Sequence, residues 1–352
     1  MSDSDPDAGN VRPANAAADR RNPLLVVGVM LVAAIGGAVA IRLLASAQTS
    51  QSQSQPARPM VQIVRQQSGL PDLSDMIDRL CPSVAALGRG RGDTNPSDPV
   101  GNATAAAFGV STDGWLLTSA PIKEDSAIFA DGHSDQLSDM RTDPVSGLTI
   151  ARAEGATFQP LPFVDQPFPR VGQFGVALSA PAGNGCSASS AMIASDFLAD
   201  GRGLIGYIRV QPIASGWTTG APFVGNDGRI IGIAVDSNGT LLPGPLAASI
   251  VDELIRNSLS PSTSFGFRVI DFAPPISGRL GSTRSAAGIA LVQAKSAAAR
   301  SGLEAGDVII AVDDEPVSSA SEVNRAVDAI TGSGTMAVIR GDRQLTITIA
   351  RA

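Results

Sequence analysis

The distribution of apolar residues divides the chain into four kinds of segment. The first, residues 1–22, is polar and ends in Arg20-Arg21. From Leu24 to Ile41 the sequence is then uninterruptedly apolar, and Arg42 follows. Such a run is long enough to cross a bilayer as a helix, and the leading arginines favour a cytoplasmic N-terminus. The competing reading is a cleaved signal peptide, since Ala45-Ser46-Ala47 has the form of a processing site. Both readings export the rest of the chain. Residues 46–70 are Gln/Ser-rich and contain Pro56 and Pro59, which reads as a flexible tether.

Beyond residue 70 the apolar positions become periodic. Asp72 to Leu80 has helical spacing and is closed by Cys81-Pro82, after which Val84-Ala-Ala-Leu87 reads as a short strand. Ala105 to Thr118 reads as strand, Asp113-Gly114 turn, strand. Asn226-Asp227-Gly228 marks a second reversal, returning through Arg229 to Val235. Leu246 to Ile255 is helical. Asn257 to Ser264, rich in Ser and Pro, then reads as a linker. The remainder contains a strand at Gly288–Val292, a helix from about Ser321 to Ile330 and an alternating strand at Leu345–Ile349.

Composition narrows the function classes. A net charge of −7 with no basic tract excludes a nucleic-acid binder in the usual mould. No nucleotide-binding loop, metal constellation or cofactor motif is visible. Two cysteines, Cys81 and Cys186, are too few for a disulfide framework or a thiolate zinc site. His133 is the single imidazole in the chain, so any mechanism requiring histidine has one candidate.

Several stretches in order resemble trypsin-like serine proteases of the HtrA/Deg type. The clearest is Trp217-Thr-Thr-Gly-Ala-Pro222, which resembles the G-N-S-G-G-P motif around the family's nucleophile. Ala105 to Thr118 resembles G-S-G-F-I-I-S-x-D-G-Y-I-L-T, followed in the family by N-N-H. Asp143-Pro-Val-Ser-Gly-Leu-Thr-Ile150 resembles D-P-x-T-D-L-A-V, and Val171-Gly-Gln-Phe-Gly-Val-Ala-Leu178 resembles the start of the second barrel. Pro82-Ser83-Val84-Ala85 matches the family's opening strand. The resemblance covers about residues 72–258 and implies a mainly β fold, a double β-barrel. Carried over position by position, it puts Pro121 where the family has its catalytic His, Gly147 at the orienting Asp and Thr219 at the nucleophilic Ser. Trp217 falls at the glycine that opens the oxyanion hole.

Acyl transfer of this kind needs a hydroxyl, an imidazole to take its proton and a carboxylate to hold the imidazole. Pro121 and Gly147 supply neither base nor orienter, and an indole at Trp217 would fill the oxyanion pocket or alter its turn. The resemblance also places His133 at a hairpin tip, in Asp131-Gly-His-Ser-Asp135. Lys123, two residues past Pro121, could serve as a base in a Ser/Thr-Lys dyad, although a solvated lysine is the simpler reading. Ser119 and Ser215 read as ordinary loop serines. The expectation is therefore a pseudoprotease. The rival is an active serine-type endopeptidase whose triad lies elsewhere, which would require His133 beside Thr219 or another serine.

The last ninety residues resemble an HtrA-type PDZ domain. Ser296-Ala-Ala-Ala-Arg-Ser-Gly-Leu-Glu-Ala-Gly-Asp-Val-Ile-Ile310 and Val312-Asp-Asp-Glu-Pro-Val317 carry that likeness. It implies a module that adds a partner's C-terminus to a sheet edge and captures its carboxylate on backbone N–H groups. The loop and edge strand are expected at Phe265-Gly266-Phe267 to Val269, with Gly266 permitting close backbone approach. Val323 and Val327, one turn apart on the facing helix, are expected either to line the groove or to pack in the core. Trypsin-like domains often bridge the start of the domain to the second barrel, so Cys81 and Cys186 are either such a disulfide or two buried thiols.

The organisation expected is thus a cytoplasmic tail (1–22), a membrane anchor (23–45), a linker (46–70), a degenerate protease domain (71–258) and a PDZ domain (263–352). The bulk would face the periplasm of a bacterium from the inner membrane. Its partners would be polypeptides or protein C-termini ending in an apolar residue, with homo-oligomerisation left open.

Overall fold

The computed structural model describes residues 72–88, 105–123, 125–164, 169–180, 185–195, 206–212, 218–272 and 286–351. The expected anchor, the linker behind it, Trp217 and Ser215 lie outside these residues. Among the described residues no helix is long and apolar enough to cross a membrane.

Two six-stranded closed barrels follow one another along the chain. A short helix, α1 (Ser74–Leu80), leads into the first barrel. Its strands are β1 (Val84–Gly88), β2 (Ala105–Gly109), β3 (Trp115–Thr118), β4 (Ser126–Phe129), β5 (Ser134–Thr142) and β6 (Thr149–Ala153), in the order β1-β2-β3-β6-β5-β4. The second contains β7 (Phe174–Ser179), β8 (Ser187–Ser195), β9 (Ile208–Pro212), β10 (Pro222–Val224), β11 (Ile230–Ala234) and β12 (Thr240–Pro243). Its order, β7-β8-β9-β12-β11-β10, repeats that of the first strand for strand. The double barrel expected from the sequence is therefore present, and closure removes the exposed edges that short strands would otherwise leave.

The strands form where the turn chemistry permits. Trp115 carbonyl accepts from Val110 N–H across the Asp113-Gly114 reversal, and Arg229 carbonyl accepts from Gly225 N–H across the second. β2, β3, β10, β11 and β12 are buried at every position, as barrel strands between two packed layers must be. β5 differs: only Leu137 is fully buried along its length. Cys81 and Cys186 are joined by a disulfide, 105 residues apart, with Cα atoms at 5.8 Å. It ties the entry of the first barrel to the approach of β8.

After β12 comes α2 (Gly244–Arg256), whose buried Leu246, Ala247, Ile250, Val251 and Leu254 form one apolar stripe against the barrels. Asn257 ends it in a left-handed conformation. The segment after it was expected to be a linker, and here the structure departs from the sequence reading. Ser260 N–H donates to Glu253 Oε2 at 3.0 Å, its hydroxyl donates to the other oxygen of the same carboxylate, and Pro261–Phe265 forms a 3-10 turn. Ser and Pro serve as well for an ordered, hydrogen-bonded turn as for a solvated tether, and local composition does not separate the two.

The last unit is a sheet of β13 (Phe267–Phe272), β14 (Ala286–Val292), β15 (Val308–Val312), β17 (Ser333–Arg340) and β18 (Arg343–Ala350), in that order, with β16 (Glu315–Pro316) paired to β15. Helices α3 (Ala297–Ser301) and α4 (Ala320–Asp328) complete it. The strand β13 faces two ways. Phe267 and Val269 enter this unit's own core, while Ile270 and Phe272 pack in the core shared with the barrels. The alternation of a strand thus distributes β13 between two cores.

Candidate functional site

The three positions aligned with a protease triad converge on one junction. Thr118, ending β3, pairs with Thr149, opening β6. The Thr118 hydroxyl donates to Ala106 carbonyl at 2.8 Å and accepts from Ala120 N–H at 3.1 Å. Thr219 carbonyl accepts from Ala106 N–H at 2.8 Å, stitching the second barrel to β2. Gly220 follows with φ +87°, and a Cβ there would lie 2.1 Å from Ala106 carbonyl and 2.4 Å from Thr118 Oγ1. No other residue fits. Pro121 is three residues beyond Thr118, Gly147 two before Thr149 and Thr219 one before Gly220, so all three lie within three residues of this junction along the chain.

Their side chains do little there. Pro121 is exposed, Thr219 is half-buried, and Gly147 sits on an exposed turn where an added Cβ would meet nothing within 4 Å. Ser119, beside the junction, donates its hydroxyl to Ala234 carbonyl at 2.5 Å, which also accepts from Gly220 N–H at 2.7 Å. Lys123 is exposed, past Pro121.

His133 lies at the far end of the first barrel. It belongs to the β4–β5 hairpin, where Phe129 N–H bonds to its carbonyl. Its ring stacks on Phe129 at 4.4 Å between centroids, and Nδ1 is 2.5 Å from Asp131 Oδ1. Asp131 is held below the usual carboxylate range by hydrogen bonds from the His133 backbone and ring. From His133 to Thr142, which pairs with Thr149, nine residues of strand intervene, up to about 30 Å at the usual rise per residue and less across the bulge between Ser138 and Arg141. The single imidazole is not at the Thr219 junction.

A buried polar cluster that sequence reasoning missed lies between the barrels and the C-terminal unit. Asp143, fully buried, opens the turn that carries Gly147: its Oδ2 accepts Ser146 N–H at 2.8 Å, and its carbonyl accepts Gly147 N–H at 2.9 Å. Its other oxygen receives Arg268 Nη2 at 2.7 Å, and Arg268 Nη1 reaches Glu253 Oε2 at 2.5 Å. Arg268 is itself 3% exposed, with Nε unpartnered. Tyr207, half-buried nearby, has its hydroxyl pushed up by desolvation and by the charge of Asp143. Arg141 donates to the carbonyls of Leu254 and Ile255 at the end of α2 while lying over the Trp115 ring. The one available signal was an arginine set in an apolar strand, which demands a buried anion.

At the expected peptide loop, Phe265 closes the 3-10 turn, Gly266 is left-handed at φ +84° and Phe267 opens β13. A Cβ on Gly266 would strike Ser296 Cβ at 2.1 Å. Phe265, Phe267, Val269, Val323 and Val327 are brought together, all buried in a single cluster with Ile330. β13 is the edge strand, and α4 packs directly on it and on the 3-10 turn. Among the described residues no three His, Cys, Asp or Glu side chains are grouped to hold a metal.

Residues 288–351 match the PDZ domain family. The chain is 24% identical over 240 residues to a probable periplasmic serine endoprotease DegP-like of Bartonella henselae, covering 64% of this chain and 48% of that protein. A protein of the same description from Rhizobium meliloti is 25% identical over 266 residues, covering 71% and 52%. The chain thus spans about half the length of the curated relatives it matches. Among solved structures, the HtrA-type protease AlgW with decapeptide aligns at 20% identity and a TM-score of 0.48, covering 78% of this chain and 96% of that one. With its duplicated barrels, a C-terminal PDZ match and these relatives, the chain is similar to HtrA/DegP-type serine proteases.

Proposed function

We propose that the protein is a catalytically inactive member of the HtrA/DegP-type family that binds polypeptides, through C-termini docked on the PDZ domain, as a scaffold or regulator in the bacterial envelope. The observation that carries this reading is the position of His133. The chain has one imidazole, and it stacks on Phe129 in the β4–β5 hairpin, remote from Thr219 and from Ser119. Neither hydroxyl therefore has a histidine base within hydrogen-bond reach, and Gly147 offers no carboxylate to orient one. The periplasmic descriptions of the relatives and the apolar run Leu24–Ile41 support a chain anchored in the inner membrane with its bulk in the periplasm.

The alternative is a working endopeptidase, and the descriptions of the relatives favour it. Two assays on the purified full-length chain separate the readings: turnover of unfolded casein and labelling by a fluorophosphonate probe. The proposed reading expects neither. Cleavage with labelling, lost in Thr219→Ala or His133→Ala, would establish the alternative.

A further inference from the structure

Several backbone donors and the apolar side chains at the expected PDZ groove are engaged from within the domain. Ser262 N–H donates to Asn324 Oδ1 at 3.2 Å, from the 3-10 turn to α4. The N–H groups of Thr263 and Gly266 donate to the carbonyls of Ser260 and Thr263, both at 3.0 Å. At the opposite end of the groove, Asp271 on β13 accepts the Ala320 N–H at 2.6 Å. That N–H lies in the first turn of α4, where a carboxylate is favoured by the unpaired donors and by the helix dipole. Between these two ties, Val323 and Val327 are 0% exposed and meet Phe265, Phe267 and Val269. Among the described residues these side chains fill the space between α4 and β13. A strand added to an edge sits about 4.8 Å from it, and α4 packs on that edge strand and on the 3-10 turn before it.

We propose that the PDZ groove is held shut by this two-ended clasp, Asp271 to Ala320 and Asn324 to Ser262, and that opening it selects partners with a basic side chain about four residues ahead of an apolar C-terminus. The inference rests on the C-terminus-binding reading above and deepens it. Its selectivity follows from direction. A carboxylate seated at Gly266, where β13 begins, makes the partner run antiparallel to β13, with its upstream residues approaching Asp271. Residues directly opposite on an antiparallel pair share a face, so the side chain across from Asp271 is on the α4 side. Once α4 withdraws, Asp271 loses the Ala320 N–H and gains a place for a lysine or arginine. The cation replaces the bond that opening breaks.

The test is fluorescence polarisation on the full-length chain. The probes are two pools of fluorescein-labelled decapeptides ending in Val, Leu or Phe, with Lys or Glu four residues ahead of the terminus. C-terminally amidated pools serve as controls. Wild type should bind the Lys pool weakly and the amides not at all. Asn324→Ala should bind the Lys pool about tenfold more tightly, the scale of one lost hydrogen bond, and keep the preference for Lys over Glu. Asp271→Ala should also bind more tightly but no longer distinguish the pools. Wild type binding as tightly as both variants would overturn the clasp and leave the groove reading standing. Equal binding of the Lys and Glu pools by Asn324→Ala would overturn the selectivity. Absence of binding by all three proteins would overturn the C-terminus reading itself.

Discussion

At the interbarrel junction the contacts that hold the structure are mostly those of backbone. Gly220 holds its left-handed turn against Ala106, and the Asp143 turn still presents position 147, yet Pro121 and Gly147 carry no titratable group. At the PDZ loop the contacts are those of side chains, since Phe265, Phe267, Val323 and Val327 are buried together in one cluster. The contrast separates two constraints on a sequence. Turns and interbarrel hydrogen bonds stabilise the fold whatever the chemistry. A nucleophile, base or open groove contributes nothing to folding, and is kept only by use.

The two regions are joined through Arg268, and the largest effect is expected there. Arg268→Ala leaves the buried Asp143 and the half-buried Glu253 without their partner and should destabilise the fold by about 3–5 kcal/mol, read from urea denaturation. Arg268→Met combined with Asp143→Leu and Glu253→Gln should recover much of that loss. If Arg268→Ala costs less than 1 kcal/mol, the junction and the PDZ domain are not coupled in stability. Second in size is the disulfide. Its long loop is worth up to about 4–5 kcal/mol in the chain-entropy account, and about 2–4 as typically measured, checked by comparing Cys81→Ser/Cys186→Ser with wild type in denaturant.

Two glycines at the junction sharpen the distinction between scaffold and chemistry. Gly220→Ala must force a Cβ against Ala106 carbonyl at an unfavourable φ and should cost about 2–3 kcal/mol. Gly147→Asp restores the family's carboxylate into open space, at φ +75°, where aspartate is tolerated, for roughly 1 kcal/mol. Thermal melts of the two variants check the ordering, and equal losses would mean that position 147 is as structural as 220.

The smallest expected effect concerns Tyr207, the only tyrosine in the chain. Burial, and then the charge of Asp143, raise its hydroxyl above the ordinary 10.0. The folded state therefore keeps this proton to higher pH than the unfolded state does. Its contribution is fully present below about pH 10 and is lost as pH rises through the folded value. Absorbance at the phenolate band gives that value without assignment, and Tyr207→Phe should flatten this part of the alkaline limb.

Much of the architecture was legible because turns announce themselves. Asp113-Gly114 and Asn226-Asp227-Gly228 fix two hairpins, and the stripe Leu246–Leu254 fixes α2. The common order of the two barrels was not legible from periodicity, because short strands buried on both faces carry no alternation to read. The double barrel came with the family resemblance, and the strand order only with the structure. Nor was the Asp143–Arg268 pair, whose members are 125 residues apart: an arginine in an apolar strand calls for an anion, but Asp143 looks like any turn aspartate. Asp271 and Asn324 were missed for the same reason: each is an ordinary polar residue until the fold sets a backbone N–H in front of it.

The two-faced strand β13 bears on how the molecule can be taken apart. Cutting the chain after α2 to obtain a separate PDZ domain would strip the cover from Ile270 and Phe272 and leave Arg268 without either carboxylate. Such a fragment would display an apolar ridge beside an uncompensated cation, a surface suited to self-association. Ligand capture by the excised domain would then report stickiness rather than recognition.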